Sequence, residues 1–328
     1  MPIRLASATS GPDCACHPVR WWPTRPEMRD QLDRLPHSKQ RELAHVVRVL
    51  FEEFESEILG ATQPWKKRGR ILQVILYGSY ARDDWVDDPV GGYKSDYDIL
   101  VVVNDAKLTD PVEYWGKADD RLMRDASVTN SISAPVNFIV HDLADVNSQL
   151  SHGRPFFVDV VEQGIALYQA EGFAFAQPRI LPPEDARAEA QGYFDEWFPS
   201  AAIFLETSQF TAAKGGLKEA VFILHQSAER FYHCALLVLT LYSPKSHKLN
   251  FLRSHAEELA PELIEAWPRG DKFSRRCFEL LRQAYVNARY SPHYVIKDDE
   301  LRWLSERVAI LQELVTAVCE RRLAPPDR

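Results

Sequence analysis

Between Ile71 and Val103 the chain reads ILQVILYGSYARDDWVDDPVGGYKSDYDILVVV. The run Ile71–Tyr77 is apolar and β-rich and stops abruptly at Gly78-Ser79. A second apolar run, Asp96–Val103, opens on Asp-Tyr-Asp. Two such runs bounded by polar, Gly-rich sequence predict neighbouring buried strands. Side chains alternate along a strand, so Asp96 and Asp98 project from one face. Two carboxylates held that close repel unless a cation lies between them, and a divalent metal suits the position. A Gly-Ser turn at a strand end allows close backbone approach and offers N–H donors to a phosphate. Metal carboxylates beside a phosphate cradle are the components needed for nucleotidyl transfer.

A chain of 328 residues has material for two domains and two cores. The net charge of −8 argues against nucleic acid as a partner of the whole surface and leaves room only for a local basic patch. No run of eighteen apolar residues predicts a membrane span, and no apolar leader is visible, so the expected location is cytoplasmic. The five cysteines, at 14, 16, 234, 277 and 319, are odd in number. The last three sit in apolar helical patterns and are expected as buried thiols. Cys14-x-Cys16-His17 is half of a metal-binding pattern with no second pair nearby.

Residues 1–34 are Pro-rich and without periodicity, and an irregular extension is expected there. A first domain follows over 35–170. Its first helix is expected from Lys39 to Leu59, with Ser38 as N-cap and an apolar stripe of Leu43, Val46, Val47, Leu50 and Phe54. Residues 61–70 form a basic connector. Asp110 and Glu113 suggest a capping box, with Pro111 at the first helical position. Val136–Val140 reads as a third strand and Glu162–Tyr168 as a last one. A linker at 171–182 contains Gly172, Pro178 and Pro182. Residues 183–322 then read as long helices with short connections, which predicts an antiparallel bundle. The fold class expected is therefore α+β: a mixed sheet with helices, then an all-α domain.

Gly78-Ser79, Tyr80-Ala81-Arg82 and Asp96-x-Asp98 resemble the signature of the polymerase-β-like minimal nucleotidyltransferases. Small members of that family separate the two parts by about ten residues. Here sixteen positions, 80–95, intervene, and the excess around Trp85–Tyr93 looks like a loop insertion. The resemblance implies Asp96 and Asp98 as holders of Mg²⁺ or Mn²⁺, and ATP or another nucleoside triphosphate as substrate. It also implies Gly78 and Ser79 as phosphate-positioning residues, Ser79 among the catalytic set, and Arg82 as a charge-neutralising group. A third carboxylate is often supplied by the neighbouring strand in that family. Asn137 aligns there, and an amide is a weaker metal ligand and a poor base. Asp142 and Asp145 lie just beyond as substitutes.

The segments 222–232 (FILHQSAERFY) and 284–294 (AYVNARYSPHY) resemble helices of the HEPN domain, and the whole chain looks like the fused arrangement of nucleotidyltransferase followed by HEPN domain. Ribonucleolytic HEPN proteins carry an Arg, a spacer of four to six residues, then a His. Arg289 and His293 are the candidates, with a spacer of three that includes Pro292. Tyr294, beside His293, is a candidate acceptor for AMP transfer in a toxin–antitoxin setting, against an ordinary packing role. The resemblance further implies a homodimer through the bundle and RNA as a partner there. Three functions follow: transfer of a nucleotidyl group, preferably AMP, to an acceptor such as a protein tyrosine; a HEPN ribonuclease toxin regulated by the first domain; and a non-catalytic nucleotide-binding scaffold.

Overall fold

The computed structural model describes residues 32–88 and 93–325. The Cys14, Cys16 and His17 pattern and nearly all of the N-terminal extension lie outside the described residues. The architecture is α+β. A mixed four-stranded sheet with helices occupies the N-terminal part, and the C-terminal part is helical.

The first part contains α1 (His37–Ile58), the one-turn α2 (Pro64–Lys67), β1 (Ile71–Tyr77) and the one-turn α3 (Ser79–Arg82). A small hairpin, β2 (Asp87–Asp88) with β3 (Tyr93–Lys94), follows and forms the insertion expected between the two halves of the motif. Then come β4 (Tyr97–Val103), α4 (Gly116–Ser127), β5 (Val136–Asp142), α5 (Leu143–Ser151), α6 (Pro155–Gln163) and β6 (Ile165–Gln169). Sheet order is β5-β4-β1-β6. β1 runs antiparallel to β4 and β6, while β4 runs parallel to β5. Both central strands are buried along their whole length, which explains their unbroken apolar sequence.

The two sheet faces have different coverings. Val74, Leu76, Ile99 and Val101 pack with Leu43, Val46, Leu50 and Phe54 of α1 and with Trp115. Ile75, Tyr77, Leu100 and Val102 pack instead with Val146, Phe157, Val160 and, from the helical part, Phe251. Alternation therefore places Asp98 on the face that meets the helical domain.

Two expected helix starts differ. α1 begins at His37, with Pro36 rather than Ser38 in the cap position and no side-chain cap. Asp110 does cap the next turn, accepting from the N–H groups of Val112 and Glu113. Glu113, however, accepts from the Tyr114 hydroxyl and pairs with Lys66, so the box is half formed. Of the connector's basic residues, Lys66 is engaged by that pairing and Arg68 donates to the Pro64 carbonyl.

The helical part comprises α7 (Pro183–Ala213), α8 (Leu217–Thr240), α9 (Leu249–Leu259), α10 (Lys272–Tyr290) and α11 (Asp298–Leu323). α8 is its axis: Val221, Leu224, Ala228, Phe231 and Ala235 are fully buried against α7, α10 and α11. Cys234, Cys277 and Cys319 are buried free thiols in this core. Among the described residues no helix is long and apolar enough to cross a membrane.

The connector between the parts is fastened to the first. Arg70 stacks on Phe173 and Gln73 donates to the Phe173 carbonyl. Asn147 Oδ1 accepts from Ala176 N–H at 2.8 Å, and the Leu150 carbonyl accepts from Arg179 N–H at 3.0 Å. Tyr242, just after α8, packs against both Phe156 and Phe157 and meets His141 Nε2 at 2.9 Å.

Candidate functional site

The motif halves meet because β1 and β4 pair antiparallel with Tyr77 opposite Asp98. Gly78 and Ser79, the next residues on β1, therefore lie beside the acidic end of β4. Gly78 adopts φ 71°, ψ −155°, a backbone region essentially restricted to glycine. A Cβ there would come within 2.7 Å of Asp98 Oδ2. Glycine is required twice over, by its own backbone and by the carboxyl packed against it.

Asp98 is deeply buried, at 1% exposure, and Asp96 is partly buried beside it. Burial pushes the Asp96 pKa up to about 6, against the lowering effect of the Asn137 hydrogen bond and the Ser254 side chain. Asp98 is raised well above the usual carboxylate range, by burial first and then by the neighbouring charges of Glu258 and Asp96. Asp98 Oδ1 is buried without a hydrogen-bond partner. Asn137 sits opposite Asp98 in the β4–β5 register, and its Nδ2 donates to Asp96 Oδ2 at 2.9 Å. The position aligned with a third carboxylate is thus occupied by a group that bridges to the acid pair without adding charge. Asp142 and Asp145 do not substitute for it. They lie at the far end of β5, where Asp142 pairs with Val103 and caps α5 and Asp145 binds His141 at 2.6 Å.

One turn of α9 closes over this site. The Ser254 side chain lies within electrostatic reach of Asp96 and lowers its pKa. His255 Nε2 is 3.0 Å from the Tyr77 hydroxyl, and its Nδ1 lies 3.7 Å from Asp98 Oδ1 without a hydrogen bond. Burial holds His255 neutral, with a pKa down to about 3. Glu258 Oε2 is 3.6 Å from the Arg82 guanidinium, which also pairs with Asp84 at 3.2 Å. Burial raises the Glu258 pKa, while Arg82 and the hydroxyl and backbone N–H of Ser79 lower it. The Ser79 hydroxyl lies within electrostatic reach of Glu258 but closes no hydrogen bond of full geometry. A cleft of about 630 Å³, open to solvent, runs beside this contact and is lined by Gly78, Arg82, Phe156, Asp159, Tyr242 and Glu258.

Ser254, His255 and Glu258 carry no motif. The only trace in the sequence is their i, i+1, i+4 spacing on one turn of a helix, which becomes informative only once that turn is known to face Asp96 and Asp98.

The second set of candidates is dispersed. Arg289 is exposed at the end of α10; its guanidinium lies 4.6 Å from the Tyr285 ring centre and 4.9 Å from that of Phe222, and its Nε donates to the Tyr285 carbonyl. His293 is exposed on the following turn, where its backbone N–H meets Ser291 Oγ. Tyr294 is 5% exposed, and its hydroxyl donates to the Leu280 carbonyl at 2.7 Å. An acceptor role for Tyr294 conflicts with that placement: the oxygen that would attack is engaged in the bundle core. Tyr290, at 74% exposure, is the accessible tyrosine of the pair that flanks the Arg–His segment.

Residues 194–320 match the family model of the HEPN domain. The match begins inside α7 and ends inside α11, so it contains α8, α9 and α10 whole. The turn of α9 that covers Asp96 and Asp98 therefore lies within the matched segment. No curated protein matches the chain.

Proposed function

We propose that the chain is a metal-dependent nucleotidyltransferase that moves a nucleoside monophosphate, AMP by preference, from a triphosphate to an acceptor hydroxyl. The observation that carries this reading is the packing of Asp98 against a glycine that tolerates no Cβ, at the mouth of a Gly-Ser turn. Mg²⁺ is commonly held by one or two carboxylates plus substrate phosphates, and the oxygen-only pair of Asp96 and Asp98, with Asp98 Oδ1 unpartnered, fits that donor set. Among the described residues no group of three His, Cys, Asp or Glu side chains is placed to hold a metal by itself, so phosphate oxygens would complete the shell. Asp96 and Asp98 would hold a divalent cation, which would supply charge neutralisation to the phosphate oxygens.

The chain's own groups do the rest. Gly78 lets the backbone approach the phosphates, and the Ser79 N–H and hydroxyl orient them. Arg82 balances charge on the leaving side. Tyr77, Phe156 and Tyr242 give the adjoining cleft aromatic walls suited to a base. The acceptor oxygen bonds to the α-phosphorus, the bond to the bridging oxygen breaks, and pyrophosphate leaves with that electron pair. The hydroxyl proton passes to water. The test is incubation with α-labelled nucleoside triphosphates and Mg²⁺ or Mn²⁺. Label should reach an acceptor with wild type and fail with Asp96→Ala/Asp98→Ala. Transfer that survives the double substitution refutes the site, and binding without pyrophosphate release favours the scaffold reading.

A second reading concerns RNA at the HEPN domain. It is favoured by the match at 194–320 and by Arg289, which is exposed among Phe222, Tyr285 and Tyr290 with no carboxylate partner among the described residues. Arg289→Ala should abolish RNA cleavage or RNA binding if that reading is right. A homodimer through this domain is part of the same proposal, and light scattering of the full chain decides it.

A further inference from the structure

We infer that Glu258 is an internal occupant of the phosphate seat, and that nucleotide gains the site by displacing this carboxylate into the neighbouring cleft. The inference rests on the nucleotide reading above and adds a gate to it.

Glu258 meets the groups that reading assigns to phosphate. Its carboxylate faces the Ser79 N–H and hydroxyl and lies 3.6 Å from the Arg82 guanidinium. An anion beside an Arg guanidinium and within electrostatic reach of a turn N–H and hydroxyl occupies the region a phosphate oxygen would take. A triphosphate and the carboxylate cannot share these donors, and their like charges repel. The alternative role, as the missing third carboxylate, has weaker support. Among the described residues Glu258 does not join Asp96 and Asp98 in any group placed to hold a metal. Its ion pair is with Arg82, while the α9 residues that meet Asp96 and Asp98 are Ser254 and His255.

Displacement does not require α9 to leave. The helix is anchored by Phe251 in the sheet-face cluster and by Glu257, which pairs with Arg269 beyond the helix. Glu258 itself lines the solvent-open cleft, so a side-chain rotation toward solvent can clear the seat. Leu259, next along, is 48% exposed and leaves that edge open.

The test compares wild type with Glu258→Gln and Glu258→Asp as full chains. Thermal melts establish that each variant is folded. Affinity for ATP with Mg²⁺ is measured by calorimetry, and label transfer is followed in parallel. Glu258→Gln removes the charge, and Glu258→Asp withdraws it by one methylene. Both should bind ATP more tightly, Glu258→Gln by about tenfold or more, because apparent affinity scales with the fraction of sites a competing occupant leaves free, about a tenth or less here. Equal affinity in all three proteins overturns the gate while leaving the nucleotide site intact. Weaker binding, or loss of transfer at unchanged affinity, makes Glu258 a working part of the site and also overturns the gate. Absence of ATP binding and transfer in all three folded proteins defeats the nucleotide reading itself, and the gate with it.

Discussion

Gly78→Ala tests the local argument on which the site depends. At φ 71°, ψ −155° an alanine is strained by about 1–3 kcal/mol whatever surrounds it. The new Cβ would also lie 2.7 Å from Asp98 Oδ2, closer than such contacts occur, and Asp98 is too buried to step aside freely. Overpacking of this kind costs about 1–3 kcal/mol more. The variant should therefore lose about 2–6 kcal/mol of stability in all. The two contributions separate in a double-mutant cycle. In an Asp98→Ala background the contact partner is gone, and Gly78→Ala should cost only the backbone share. The coupling, about 1–3 kcal/mol, is read from urea unfolding of the four proteins. ATP binding measured on the same set should fall in both single variants. If Gly78→Ala costs the same with and without the Asp98 carboxyl, then Asp98 is not what demands glycine, and the motif halves are not packed as described.

Two further outcomes concern groups outside the carboxylate pair. Tyr294→Phe removes the donor to the Leu280 carbonyl and should lower stability by about 1–3 kcal/mol in denaturant melts; no loss would mean that the hydroxyl is free for chemistry after all. Asp145 is held below its usual pKa, first by its hydrogen bond to His141. A depressed folded value adds stability above the unfolded value of about 3.9, lost as pH falls through the folded value. Asp145→Asn should be less stable than wild type at pH 7, by about 1 kcal/mol or less because Asp145 is partly exposed, and equal to it near pH 2. A difference that persists in acid would place the effect in packing rather than charge.

Much of the architecture could be read from local pattern. The unbroken apolar runs of β1 and β4, the i, i+4 stripes of α8 and α11, and Pro292 after α10 report their own environments. Gly78, Asp96 and Asp98 were legible for the same reason: backbone freedom at a strand end and alternation along a strand are properties of a few adjacent residues. Ser254, His255 and Glu258 were not. They lie more than 150 positions after Asp98, and only tertiary packing gives them a common target. Ser38 failed as a cap because the chain enters the helix through Pro36, two residues earlier. Tyr294 shows a further limit. A tyrosine beside an Arg–His pattern looks the same in sequence whether its ring faces solvent or, as here, the bundle core.

The strapped connector changes what joining the two parts in one chain accomplishes. A loose tether would raise the frequency of encounter and leave orientation to chance. Here Phe173, Ala176 and Arg179 are each fastened to the sheet domain before α7 begins, and Tyr242 packs against its surface beyond α8. The fusion acts as a jig, delivering one turn of α9 to one place. Flexible residues inserted after Arg179 would lengthen the last free stretch before Pro183 and leave the straps intact. The same residues inserted between Phe173 and Ala176 would put the straps themselves out of step.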